Sequence, residues 1–248
     1  QTELESDIIS ASVNNNGAFS VVTDEQGYRA AVTVYDNRQR EQLQWNTSEY
    51  YIALSCVAPD SHHVAVLCLQ ESGGKRAAQI RVFSTSQEEA LFDIALGGMT
   101  VYSMEYYKND TLAVVTDQGV FFYDGNGQQT GAYPYTKGSL VTFSHKMGQL
   151  PCIALETGDR EQRAQVVVVG EDGSAVFDQT YATTVRSLST SGDHIAVLLR
   201  DQVVHTSTFA GAPVQTAQEV NARDVIQRSD GSVILIYAER AEMVEFDE

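Results

Sequence analysis

A phrase occurs twice in this chain. Val21-Val22-Thr23-Asp24-Glu25-Gln26-Gly27 returns, one residue shorter before the glycine, as Val114-Val115-Thr116-Asp117-Gln118-Gly119. A repeated strand-and-turn unit constrains architecture before any site is considered, because each unit has apolar faces that only neighbouring copies can bury. Apolar triplets of the same kind begin at Phe19, Val64, Leu112, Cys152, Ile195 and Val233, spaced 45, 48, 40, 43 and 38 residues apart. That spacing suits blades of four strands, and no 3.6-residue apolar period recurs that would signal a helical solenoid.

Turn formers precede most of these triplets, among them Asn14-Asn15-Asn16-Gly17, Lys108-Asn109-Asp110, Ser191-Gly192-Asp193 and Ser229-Asp230-Gly231. Asn, Asp and Gly tolerate positive φ and bond their own backbone, so tight reversals form there at low cost. A third strand follows each triplet, as in Val32 to Asp36, Ile80 to Ser84, Val120 to Asp124, Val166 to Val169, Val203-Val204 and Met243 to Asp247. Outer strands are weaker and include Gln42 to Trp45 and Thr130 to Tyr133. Glu88 to Leu96 has some helical character, but Phe92, Ile94 and Leu96 alternate, which predicts a strand.

The resulting fold class is all-β: a β-propeller of four-stranded antiparallel blades, read as one domain over residues 1–248. About six blades are present, or seven or eight if sequence upstream of Gln1 is missing. The sixth unit, from Arg223 onward, ends after its third strand, and Gln1 to Glu5 are placed to supply the fourth. Such closure would hide two sheet edges.

The formal charge is −17, from 33 acids and 16 bases, which opposes binding to nucleic acid and to anionic lipid faces. Cys56, Cys68 and Cys152 form neither a CxxC pair nor an even disulfide framework, and they read as buried small hydrophobes. No apolar run approaches the roughly 18 residues needed to cross a bilayer, so the chain as given is expected to be soluble. Its first residue is Gln rather than Met, which points to a removed upstream piece.

Ser10-Ala11-Ser12-Val13, Phe19 to Thr23, Gly27-Tyr28, Val34-Tyr35-Asp36 and Trp45 to Ile52 resemble an uncharacterised family of Gram-positive bacterial propellers. The Gly-His and Trp-Asp signatures of the best-known propeller class are missing, so the likeness to that class is architectural. The family resemblance implies an extracytoplasmic domain tethered by an N-terminal membrane helix. It implies no activity.

Local motifs for catalysis are also missing: there is no G-x-S-x-G, H-E-x-x-H, G-x-x-x-x-G-K or G-x-G-x-x-G. Asp124-Gly125-Asn126-Gly127 lacks the later ligands of a calcium loop and reads as a hairpin turn. His63 and His194 occupy the same blade position at separate corners, which favours turn roles over metal ligation. No catalytic residue, cofactor or metal is assigned.

In a propeller the loops joining strands two and three, and those joining one blade to the next, gather on one face. Nine of the chain's 16 bases fall there, interleaved with acids. Two of these loops are long: Gln70 to Gln79 and Glu156 to Gln165. The candidate ligand-binding residues are therefore Tyr28, Arg29, Tyr50, Lys75, Arg76, Arg160 and Arg163. Tyr106 and Tyr107 belong to an opposite corner and are expected to pack.

The leading expectation is a noncatalytic module binding a protein or cell-envelope ligand. An enzyme of hydrolase or quinone-dependent oxidoreductase type, using channel acids such as Asp7 or Asp224, is the alternative, and a structural spacer is a third.

Overall fold

The computed structural model describes residues 6–72, 74–136, 138–158, 163–207, 209, 215–218 and 221–246. Six antiparallel sheets succeed one another along the chain, and strands within each pair in sequence order. Blade 1 contains β1 (Ile8–Val13), β2 (Phe19–Thr23), β3 (Ala30–Tyr35) and β4 (Glu41–Thr47). Blade 2 contains β5 (Tyr51–Val57), β6 (His63–Ser72), β7 (Lys75–Ser84) and β8 (Ala90–Gly97). Blade 3 contains β9 (Val101–Lys108), β10 (Thr111–Thr116), β11 (Gly119–Tyr123) and β12 (Gln129–Pro134). Blade 4 contains β13 (Ser139–Ser144), β14 (Cys152–Glu156), β15 (Ala164–Val169) and β16 (Ala175–Tyr181). Blade 5 contains β17 (Ser187–Ser191), β18 (His194–Leu198), β19 (Gln202–Thr206) and β20 (Gln215–Gln218). Blade 6 has three described strands: β21 (Asp224–Gln227), β22 (Val233–Ile236) and β23 (Ala241–Val244).

The repeat therefore marks real blades. The Glu88 to Leu96 segment is the strand β8, with Ile94 and Leu96 turned into the core. In blade 6 the third strand begins earlier than the apolar pattern predicted, because Met243 pairs opposite Ile234 and Ala241 opposite Ile236. Gln1 to Glu5, the expected closing strand, lie outside the described residues. No helix among the described residues is long and apolar enough to cross a membrane.

Contacts divide the chain into two compact units, Gln1–Thr130 and Gly131–Glu248. In the first, Val22, Val32, Val34, Val64, Val66 and Phe83 form a core between blades 1 and 2. A second core, with Ala65, Leu67, Ile80, Met104, Leu112 and Val114, lies between blades 2 and 3. Alternate residues of β6 thus enter different cores, which is why these middle strands read as nearly continuous apolar runs. In the second unit, Val166, Val168, Ile195 and Val197 pack between blades 4 and 5, while Leu198, Val225 and Leu235 pack between blades 5 and 6. All three cysteines are free and buried. Desolvation pushes the Cys68 thiol up to about 12.

The corners follow their side-chain chemistry. Asp124 Oδ1 accepts the backbone N–H groups of Asn126 and Gln128, each at 2.9 Å, while Gly127 takes φ +77°. Asp36 holds the equivalent corner of blade 1 through the N–H groups of Arg38 and Arg40. These donors keep both carboxyls below the usual carboxylate range.

One irregularity recurs. The innermost strands of blades 1 to 4 each carry an extra residue near their start relative to the second strand, Ile9, Ala53, Tyr102 and Val141, and β9 carries a second at Tyr107. Such bulges bend the strand and re-aim a side chain. Ile9, Tyr102 and Val141 are all exposed.

Candidate functional site

The Gln70 to Gln79 segment corrects the sequence reading. It is an extension of blade 2 itself: β6 runs to Ser72, β7 resumes at Lys75, and their pairing continues through Glu71↔Arg76 to Ser72↔Lys75. The neighbouring strands stop earlier. β5 first pairs at Tyr51↔Leu69, and β8 last pairs at Ala78↔Gly97. A two-stranded ribbon therefore projects past its sheet, with its outer edges unpaired in the β-ladder. The alternation along β6 that buries Leu67 leaves Leu69 exposed on the same face.

Beside the ribbon is a cleft of about 410 Å³ at one end of the blade 2–blade 3 interface. Tyr51, Ala53, Leu69, Met99 and Val101 supply apolar wall, while Gln70, Glu71 and Arg76 supply the charged and polar rim. Small residues leave this space open, since Ala77, Ala78, Gly97 and Gly98 also border it. A Cβ built on Gly98 meets nothing within 4 Å.

Tyr51 is 56% exposed, and the Arg29 guanidinium stands over its ring at 5.0 Å. Arg29 also donates from Nη1 to the Glu49 carbonyl at 3.4 Å, and Gln70 Nε2 donates to Glu49 Oε1 at 3.2 Å. These contacts join the inter-blade connection to the strand 2–3 loops on either side of it. Elsewhere in the unit the same joining appears between Thr100 and Asp117, where each N–H finds an acceptor in the other residue.

The innermost strands of this unit lie side by side, β1 against β5 and β5 against β9. Each carries a bulge near its start, at Ile9 (49% exposed), Ala53 and Tyr102 (47% exposed). Sequence reasoning missed Tyr51, Leu69 and these bulges. The only signal was an apolar residue breaking alternation early in each inner strand.

Each anticipated residue has a definite place. Tyr28 is exposed and borders a polar groove of about 520 Å³ along β4, with Glu41, Gln44 and Glu88. Arg29 and Arg76 belong to the cleft region as described. Tyr50 is half-buried against the blade 1–blade 2 core, with the Arg81 guanidinium 5.6 Å from its ring. Its phenol is raised in pKa, chiefly by desolvation and then by the adjoining Glu49 carboxylate. Arg81 itself is fixed by Asp93 at 2.9 Å and also stands over Trp45 and Phe83. Arg163 is exposed, in the second unit, and its carbonyl accepts the Thr157 N–H at 3.0 Å. Arg160 and the side chain of Lys75 lie outside the described residues.

Among the described residues, no group of three His, Cys, Asp or Glu converges to hold a metal. His194 and His205 stack at 5.5 Å, and Phe246 stacks on His205 at 4.7 Å. Burial, and then His194, lowers the His205 pKa. Asp224 accepts hydrogen bonds from the Ser187 hydroxyl and from the Val225 N–H. Asp7 is exposed.

Solved structures share this architecture at low identity. Hsv2 from Kluyveromyces lactis is 11% identical over 98% of this chain and 76% of that one, with a TM-score of 0.62. The C-terminal WD40 domain of Sif2 is 10% identical over 97% and 82%, with a TM-score of 0.53. A chain of Kuenenia stuttgartiensis hydrazine synthase is 15% identical over 95% and 82%, with a TM-score of 0.57. At these identities the likeness establishes the β-propeller fold, and the variety of names shows that fold alone selects no function. No curated protein matches the sequence. The family model of unknown function DUF5711 matches residues 1–246, and the chain belongs to that family.

Proposed function

We propose that this propeller is a noncatalytic binding module that engages a protein ligand through the ribbon end of blade 2. The observation that carries the reading is the combination at that end: a projecting β6–β7 ribbon, a 410 Å³ cleft with apolar walls, and exposed Tyr51 and Leu69 beside Arg29 and Arg76. Interfaces draw their energy from aromatic and arginine anchors surrounded by apolar surface, and these residue types meet here. The apolar wall would take an aliphatic or aromatic side chain. The Glu71 and Arg76 rim would fix its orientation through polar contacts.

The cell-envelope location rests on the resemblance to tethered Gram-positive propellers. Affinity capture from envelope extracts tests both parts, using the wild type beside a Tyr51→Ala/Arg76→Glu variant. A protein retained by the wild type and lost from the folded variant supports the site. Equal retention by both removes the ribbon end from the account, and capture only from cytoplasmic extract removes the envelope.

A further inference from the structure

The ribbon of blade 2 has one edge that its own sheet does not complete. β8 follows β7 only as far as Ala78↔Gly97. There the chain turns out of the sheet: Gly97 takes φ +63°, and the Met99 N–H donates back to the Leu96 carbonyl at 3.3 Å. Beyond that point Arg76 and Ala77 pair with β6 alone, opposite Glu71 and Gln70. Successive strand residues aim their N–H and C=O groups at alternate edges, so half of these groups point away from β6. Among the described residues, no backbone hydrogen bond outside the β6–β7 ladder reaches Arg76 or Ala77. Cβ atoms built on Gly97 and Gly98 meet nothing within 4 Å, so the end of β8 is uncovered. The opposite edge of the ribbon is flanked by Glu49, which accepts from Gln70 Nε2 at 3.2 Å.

The free edge adjoins the 410 Å³ cleft. Leu69 pairs opposite Ala78 and Glu71 opposite Arg76, so these four residues share one face of the ribbon, and all four border the cleft. Met99 and Val101, just past the turn at Gly97, supply further apolar wall. Arg76 is exposed and forms no ion pair among the described residues.

We infer that the protein ligand of this end is an extended segment that adds as a β-strand to the Arg76–Ala77 edge of β7, in line with β8, with alternate apolar side chains in the cleft and an acidic side chain beside Arg76. The inference rests on the ribbon end being the binding site, and it deepens that reading by fixing the form of the ligand. A free ladder edge is satisfied group for group by another extended backbone, whose pairing gives affinity while its alternate side chains give specificity. A helix bonds its own backbone internally, so it could fill the cleft but not complete the edge. Two strands alone are marginally stable in water, and a third makes the ribbon part of a larger sheet. An acidic residue on the guest gives Arg76 a bidentate partner, whereas the same edge of a second copy would bring arginines together.

The test presents the 248-residue chain to a phage-displayed library of linear peptides and remakes the most enriched peptide with N-methyl groups on either set of alternate amides. Enriched sequences should alternate apolar residues and carry an Asp or Glu. Methylating the set of amides that faces β7 should weaken binding about tenfold or more, and methylating the other set should leave it nearly unchanged. Amide exchange at Arg76 or Ala77 should slow in the complex. Replacing the peptide's acid by Lys should weaken binding to the wild type and restore it to Arg76→Glu. Equal losses from both methylated sets, no enrichment, or enriched peptides with apolar residues at helical spacing would overturn strand addition. If binding of such helical peptides is still lost in Tyr51→Ala/Arg76→Glu, the ribbon-end site stands without it. Alternating peptides indifferent to Tyr51→Ala/Arg76→Glu would overturn both. A concentration-dependent dimer with slowed exchange at Arg76 and Ala77 would overturn the inference by assigning the edge to a second copy.

Discussion

Blade 2 meets its two neighbours in opposite ways. Toward blade 1 the apolar core is filled by large side chains and the opening beside it is the polar groove along β4: Phe83 is fully buried, Trp45 lies 4.9 Å from it, and Arg81 caps both rings. Asn14 stitches the far end of that interface, donating from Nδ2 to the Ala58 carbonyl and to Ser61 Oγ, each at 2.8 Å. Its Oδ1 accepts the N–H groups of Asn16 and Ala18. Toward blade 3 the packed core has an opening at each end, and small residues, Ala53, Ala77, Ala78, Gly97 and Gly98, border the one at the ribbon. One interface closes its apolar core with large side chains, and the other leaves apolar wall open to solvent.

The comparison breaks most readily at Phe83. Phe83→Ala should cost about 3–5 kcal/mol in urea denaturation, the usual range for emptying an aromatic site in a filled core. A loss below about 1 kcal/mol would mean that the blade 1–blade 2 interface is as loose as its counterpart.

Glu105, on β9 of blade 3, sharpens the contrast electrostatically. Burial raises its pKa to about 7, and its charge in turn helps to push up the Cys56 thiol. Because the folded-state value exceeds the unfolded one, the stabilising contribution is complete below about pH 4.5 and is lost as pH rises through about 7. Relative to Glu105→Gln, the wild type should therefore lose about 2–3 kcal/mol between pH 4.5 and pH 8, at 1.36 kcal/mol per pKa unit. Parallel stability curves for the two proteins would contradict the assignment.

Asn14→Ala should cost about 2 kcal/mol, since it leaves several buried partners unpaired. The smallest effect is a difference between paired substitutions. Ala30→Leu, at a fully buried site in the blade 1–blade 2 core, should cost about 1–3 kcal/mol through overpacking. Ala53→Leu, beside the open cleft, should change stability by less than about 1 kcal/mol. Equal costs would erase the distinction between the interfaces.

The strands and corners were legible because their causes are local. Val64-Ala65-Val66 reads as a middle strand from its own apolar run, and Asp124-Gly125-Asn126-Gly127 reads as a turn from its own side-chain chemistry. The ribbon was not legible, because Gln70, Glu71 and Arg76 are not buried and so impose no apolar alternation on the segment. Tyr50 and Tyr51 are neighbours that point to different surroundings, and the bulge at Ala53 sets which of them reaches solvent. Both openings depend on side-chain volumes contributed by segments up to tens of residues apart, such as Leu69 and Val101 or His63 and Asp124. No window of sequence contains that information.

The most direct measurement is the affinity of the envelope-captured ligand for the wild type and for Ala53→Leu, at matched folded fractions. The account predicts a tenfold or greater loss of affinity with an unchanged fold, because the added side chain occupies the cleft. Undiminished affinity in a folded Ala53→Leu protein would contradict the claim that the opening between blades 2 and 3 is the binding site.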